Sequence, residues 1–276
     1  MKYTPRKPEG FAKGLLFLGV LLVVVLLILP LLLIFVAAFQ GGWTLFAQNL
    51  LDKDMLAAIR LTLLVVLLTL PVNLVFGIMI AWCVTRFRFW GRRVIVALID
   101  APYALSPVVA GLCYLLLYGS EGWLGSWLGD FGIQLVFAWP GIVLVTIFVT
   151  SPYVARELIP LMETQGHEEE EAAVLLGASG WRLFWRVTLP NIKWALLYGA
   201  VLTTARAVGE FGSVSVISGA IRGQTNTLPL HVQLLHQDYN SIGAFTASLL
   251  LASIALLTLV LKTILEYFQR EKNSEV

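Results

Sequence analysis

Residues 15–39 contain no acidic or basic side chain, and that one run settles the solvent in which this chain folds. A helix crosses the hydrocarbon interior of a bilayer with about 20 predominantly apolar residues, and several other stretches reach that length. With 58% hydrophobic and only 13% charged residues among 276, the chain carries more apolar surface than a soluble core of its size could hide. A β-barrel would show short segments of alternating polarity, whereas 15–39 is apolar on every side. The sequence therefore predicts an all-α integral membrane protein.

Apolar runs place about six transmembrane helices, at 14–39, 57–84, 94–119, 136–161, 194–219 and 242–267. An even number of crossings leaves both termini on one side, and Lys and Arg decide which. The termini and alternate loops hold Lys2, Arg6, Lys7, Lys13, Arg86, Arg88, Arg92, Arg93, Arg156, Arg182, Arg186, Lys193, Lys262, Arg270 and Lys272; the opposite loops hold only Lys53, Arg60 and Arg222. Both termini are expected in the cytoplasm. The first run follows basic residues, as a signal peptide would, but it is too long for one and no small-residue cleavage site follows, so it reads as a retained helix.

Pro30, Pro71, Pro102, Pro107, Pro140, Pro152 and Pro160 fall in or at the ends of these spans. Each removes a backbone hydrogen bond, which suggests kinked, packed helices, although proline is also commoner in transmembrane helices generally. Cys83 and Cys113 lie in apolar runs without ligand spacing and read as small buried hydrophobes. A net charge of +2 gives no electrostatic case for nucleic acid.

The longest polar insertion, ETQGHEEEEAAVLLGASGWRLFWRVTLPNIK, runs from Glu163 to Lys193 between the fourth and fifth spans. Glu168 to Glu171 suit the positive end of a helix dipole, and Ala172, Leu175 and Leu176 then share a face. Gly177 and Gly180 bracket a turn, and Trp181 to Thr188 are expected to form a second short helix ended by Pro190. The stretch EAAVLLGASGWRLFWRVTLP resembles the EAA motif of ABC-importer permeases. Glu171, Ala172 and Ala173 are followed by Gly177 and then by Leu189 and Pro190 at the family's spacing, with Val187 where the family usually has Ile. The resemblance implies a type I ABC-importer permease fold in which this loop forms coupling helices seated on a separate cytoplasmic ATPase. The competing reading is a simple amphipathic connector at the membrane interface.

Likeness to the sulfate and thiosulfate importer permeases, above all their W-type subunits, covers most of the chain. It rests on PVNLVFGIMIAWCVTRF (71–87), SPVVAGLCYLLLYG (106–119), WPGIVLVTIFVTSPYVARELIP (139–160), TTARAVGEFGSVSVISG (203–219) and LPLHVQLLHQDYN (228–240). Molybdate and tungstate permeases share the ARAxGEFG stretch and the coupling loop, so they stand as the alternative. The resemblance implies a bacterial inner-membrane location, a T-type permease partner, two copies of an ATPase, and a periplasmic binding protein for sulfate or thiosulfate. It also divides the chain into an N-terminal tail, first helix and loop (1–56), a type-1 permease domain (57–268) and a cytoplasmic tail (269–276).

A sulfate dianion buried bare in low dielectric would cost on the order of tens of kcal/mol, so any path must be wet and polar. Thr203, Arg206, Glu210 and Ser213 recur at spacings of three and four and predict one polar stripe on the fifth span. Arg206 and Glu210 either line the translocation path or form a buried pair that only fixes packing. Gly199, Gly209, Gly212 and Gly219 predict close approach of a neighbouring helix, as at a subunit interface. An intramembrane enzyme would need a nucleophile with its base, or a metal set; His231, His236 and Asp238 are poorly spaced for one, and Asp100 reads as a cap or ion pair at a kink. The chain lacks GxxxxGK[ST], so no cofactor is expected on it and ATP must be bound by another polypeptide. A passive channel is the third reading, and it would have no use for a coupling loop.

Overall fold

The computed structural model describes residues 10–274, and every regular element among them is helical. Lys2, Arg6 and Lys7, part of the orientation argument, lie outside the described residues. The chain opens with α1 (Gly10–Val23), a π-helical turn (Val24–Ile28) and α2 (Leu29–Ala38) in one continuous rod. A short α3 (Gly42–Leu50) leads to the 34-residue α4 (Lys53–Arg86), whose first turn is capped by Asp52 accepting from the Asp54 amide at 2.9 Å. Then come α5 (Arg92–Ile99), α6 (Ala101–Ala104), α7 (Pro107–Tyr118) and α8 (Gly125–Asp130). The second half runs α9 (Trp139–Thr150), α10 (Pro152–Gln165), α11 (Glu168–Leu175), α12 (Gly180–Leu183), a second π-helical turn (Phe184–Thr188), α13 (Leu189–Val208), α14 (Gly212–Ile217), α15 (Leu228–Gln237) and α16 (Ser241–Ser274).

Among the described residues, four helical stretches are by themselves long and apolar enough to cross a membrane: Lys13–Ala38, Lys53–Arg86, Trp139–Gln165 and Ser241–Ile264. The expected third and fifth spans are not continuous helices. The third is cut at Asp100 and again at Leu105 and Ser106, leaving α7 as its apolar remainder. The fifth is cut between Val208 and Gly212. The six-helix count is therefore approximate. At the far end α16 continues to Ser274, so the expected tail from 269 is helical over its described part.

The prolines explain much of this pattern. Pro102, Pro107, Pro140 and Pro152 occupy the first turns of helices, where proline is best tolerated, and Pro71 and Pro160 lie in the interiors of α4 and α10. Pro30 and Pro190 each stand two residues after a five-residue π turn. A π turn shifts the hydrogen-bond register just where proline withdraws its N–H and its ring crowds the carbonyl one turn back. Pro190 consequently does not end the second short helix of the polar loop, as the sequence suggested, and α12 runs through it into α13 without a break.

Helix α4 packs against α9, α10, α13 and α15, and α16 packs against α2, α13 and α15. Val154 sits between Gly77 of α4 and Gly199 of α13, where an added Cβ would stand 2.5 and 3.2 Å from it. Gly212 approaches Pro107 and Val108, and Gly219 approaches Phe137. Gly199, Gly212 and Gly219 thus bring about the expected close approach of neighbouring segments within the chain, while Gly209 meets only the Ala205 carbonyl of its own helix. Cys83 and Cys113 also depart from expectation: both are exposed on the outer surface of the chain.

Candidate functional site

Two places gather the polar residues that the sequence singled out. The first is the loop after α10. Gly166, at φ 71° and ψ −156°, turns the chain into α11, whose first turn is four consecutive glutamates at the positive end of its dipole. Gly177 has φ +81°; its amide bonds the Val174 carbonyl at 2.9 Å and the Ala178 amide bonds the Ala173 carbonyl at 3.0 Å. That pair of bonds is the Schellman termination, which calls for a left-handed residue at this position. Glu171, Ala172 and Gly177 are exposed, Ala173 and Leu189 are half-buried and Pro190 is exposed. The tip also presents Val174, Leu175, Leu176 and Trp181, the two leucines at 88% and 89% exposure. An apolar knob of this kind on a charged loop marks an interaction surface.

Beneath the tip lies a joint that the sequence reading missed. Arg86, the last residue of α4, grips Glu170 of α11 with two nitrogens at 2.7 and 3.1 Å, and its third nitrogen bonds the Met162 carbonyl of α10 at 3.1 Å. Thr188, just before α13, donates to the same carboxylate at 2.9 Å. Asn191 donates to Glu169, and Gln165 donates to the Asn191 carbonyl at 3.3 Å. Phe184 stacks on Trp82 of α4 at 5.5 Å between ring centroids. The tip is thus tied at once to α4, α10 and α13. Arg86 and Glu170 are 84 residues apart, beyond any periodicity, and both entered the sequence argument only as charges.

The second place is the break in the fifth span. Arg206 and Glu210 form an ion pair across the last turn of α13. The other Glu210 oxygen accepts from the Ser213 amide at 3.0 Å and the Ser213 hydroxyl at 2.7 Å, closing off the start of α14. The expected single stripe is corrected here: the helix stops between Glu210 and Ser213, and a carboxylate bridges the gap. Thr203 is buried one turn earlier and joins none of these bonds. Glu210 is shut away at 1% side-chain exposure while Arg206 keeps 28%. The carboxylate holds a guanidinium that still reaches the surface of the chain.

Elsewhere, Asp100 pairs with Arg156 at 2.7 Å at the cut in the third span, and Arg156 lies 4.4 Å over the Tyr103 ring. His231 is buried against the Asn226 amide, while Asp238 pairs with Arg222. Among the described residues no cluster of His, Cys, Asp or Glu is arranged to hold a metal.

Comparison with known proteins bears on these features together. The sulfate transport system permease protein CysW of Escherichia coli (strain K12) is 56% identical over 276 residues, which is all of this chain and 94% of that protein. The sulfate transport system permease protein CysT of the same strain is 37% identical over 241 residues, 87% of each. Among solved structures, a chain of a bacterial alginate ABC transporter, in complex with an alginate pentasaccharide-bound periplasmic protein, superposes with a TM-score of 0.76 at 17% identity, covering 94% of this chain and 93% of that one. At that identity the likeness is one of fold, and the fold is that of a type I permease. Residues 73–273 match the family described as binding-protein-dependent transport system inner membrane component, a match that spans both the polar loop at 163–193 and the broken fifth span. The chain belongs to this family of inner-membrane transport components and is a non-catalytic, multi-pass permease subunit of it.

Proposed function

We propose that this chain is one of two unlike permease subunits of an ATP-driven importer of sulfate and thiosulfate, with both termini in the cytoplasm. The observation that carries the substrate is the 56% identity, over the whole chain, to a sulfate permease subunit. The T-type relative, at 37% identity, supports a second permease of similar fold as the partner. A periplasmic sulfate- or thiosulfate-binding protein delivers the anion, and ATP is bound and hydrolysed by a separate ATPase.

In this reading the exposed tip around Gly177 docks on the ATPase. Glu171, Ala172 and Ala173 lie on the helix leading to the tip, and Leu189 and Pro190 on the helix leaving it. A displacement of the tip travels through the Arg86, Glu170 and Thr188 joint into α4 and α13 together, because neither helix can stay behind without breaking a charge-assisted bond. Helix α13 carries Arg206 at its far end. Arg206 supplies positive potential to the passing dianion, and Glu210, itself held by Ser213, fixes its position, with Thr203 one turn earlier on the same helix. An intramembrane Arg costs about 2.5–3.5 kcal/mol on insertion scales, and the ion pair with Glu210 offsets part of that cost.

Affinity purification of the tagged chain from its own membranes tests the assembly. The reading expects an ABC ATPase, a T-type permease and a sulfate- or thiosulfate-binding protein to be recovered together. Recovery of a molybdate-binding protein instead would overturn the substrate assignment while leaving the fold untouched.

A further inference from the structure

Between α4 and α5 the chain reads Arg86-Phe-Arg-Phe-Trp-Gly-Arg-Arg93, at the point where the apolar span Lys53–Arg86 ends. This segment borders a cavity of about 870 Å³ that reaches across to Ile159 and Glu163 of α10. Arg88, Arg92 and Arg93 line it against one carboxylate, Glu163, which takes Arg92 at 2.7 Å. No acidic partner stands against Arg88 or Arg93 among the described residues. Two positive charges are left over in a concave site. Arg92 and Arg93 also open α5 at its electropositive end, where a basic side chain is unfavourable unless an anion is near.

The rest of the lining is apolar. Trp90 is fully exposed at 102%, and Phe89, Val94 and Ile159 complete one wall. A soluble anion would have no use for that wall, and an acyl chain would have no use for the arginines. A molecule with both parts, at the level where a membrane span ends, matches the whole lining: aromatic rings and arginine stems sit at the headgroup boundary, and basic pockets between helices take lipid phosphates. The geometry points to a binding site for one anionic phospholipid, its phosphodiester on Arg88 and Arg93 and an acyl chain along Phe89, Trp90 and Ile159. The inference needs only a membrane-embedded chain, and it stands whichever oxyanion is transported.

The test extracts the intact transporter from membranes in mild detergent and measures retained lipid by native mass spectrometry, with phosphatidylglycerol, cardiolipin and phosphatidylethanolamine as the lipids compared. The wild type should retain phosphatidylglycerol or cardiolipin several-fold over phosphatidylethanolamine. Arg88→Gln with Arg93→Gln should abolish that preference. Arg182→Gln with Arg186→Gln, which removes as many charges from the coupling loop, should keep it; equal loss in both double variants would reduce the effect to bulk charge and overturn the site. Displacement of the lipid by millimolar inorganic phosphate would also overturn it, since a headgroup held by its chain should resist. A second readout needs no arginine variant. In vesicles, brominated phosphatidylglycerol should quench tryptophan emission more in the wild type than in Trp90→Phe, and equal quenching contradicts the placement.

Discussion

Glu170→Gln isolates the joint beneath the coupling loop. The substitution keeps the shape of the side chain but replaces the carboxylate that two arginine nitrogens and Thr188 share. Breaking one partner of a fully buried pair costs about 3–5 kcal/mol. Arg86 and Glu170 retain 9% and 13% exposure, so solvent relieves part of that penalty. The expected loss is about 3 kcal/mol, roughly a hundredfold in the folding equilibrium constant. Replacing both members, Arg86→Met with Glu170→Leu, should recover most of the stability, because apolar side chains leave no charge stranded. It should not recover function, since the link between tip, α4 and α13 is gone. Stability is read by SDS titration of the detergent-solubilised protein, and coupling by substrate-stimulated ATPase of the reconstituted complex. A Glu170→Gln protein as stable as the wild type would refute the energetic argument, and a double variant with normal stimulation would refute the mechanical one.

Gly177 has open space around its missing Cβ, so substitution is penalised through its φ of +81°, about 1–2 kcal/mol for the left-handed conformation. Gly177→Asp should leave the chain in the membrane and uncouple it, and undiminished sulfate-dependent ATPase activity would contradict the role of the turn. Arg206→Met with Glu210→Gln keeps an acceptor for the Ser213 amide while removing both charges, so the complex should assemble and hydrolyse ATP yet fail to import sulfate. Wild-type uptake by that variant would reduce the ion pair to packing. A reporter active only in the periplasm, fused after Val276, should stay silent, and activity there would reverse the topology.

The long apolar helices were legible because an unbroken apolar run leaves the backbone no alternative in lipid. The third and fifth spans read as whole in the sequence because summed hydropathy does not register a break in direction. The signal was present in single residues: Asp100 and Glu210 are acids set within apolar stretches, and each stands at a cut, bonded to an arginine. In the coupling loop, Gly166 and the four glutamates announced α11, and Gly177 its end, because both are local backbone effects. Pro190 misled because a π turn absorbs its missing amide, a remedy that depends on the register of the preceding turn. The Arg86 to Glu170 contact and the pairing of glycines with Val154 are tertiary, set by how helices far apart in sequence pack.

ATP-dependent accumulation of radiolabelled sulfate in proteoliposomes holding the purified complex and its binding protein tests the central assignment. The account predicts uptake that requires ATP and this chain, is inhibited by excess thiosulfate, and is unaffected by molybdate at the same concentration. Uptake of molybdate with none of sulfate, or sulfate flux that proceeds without ATP, would contradict it.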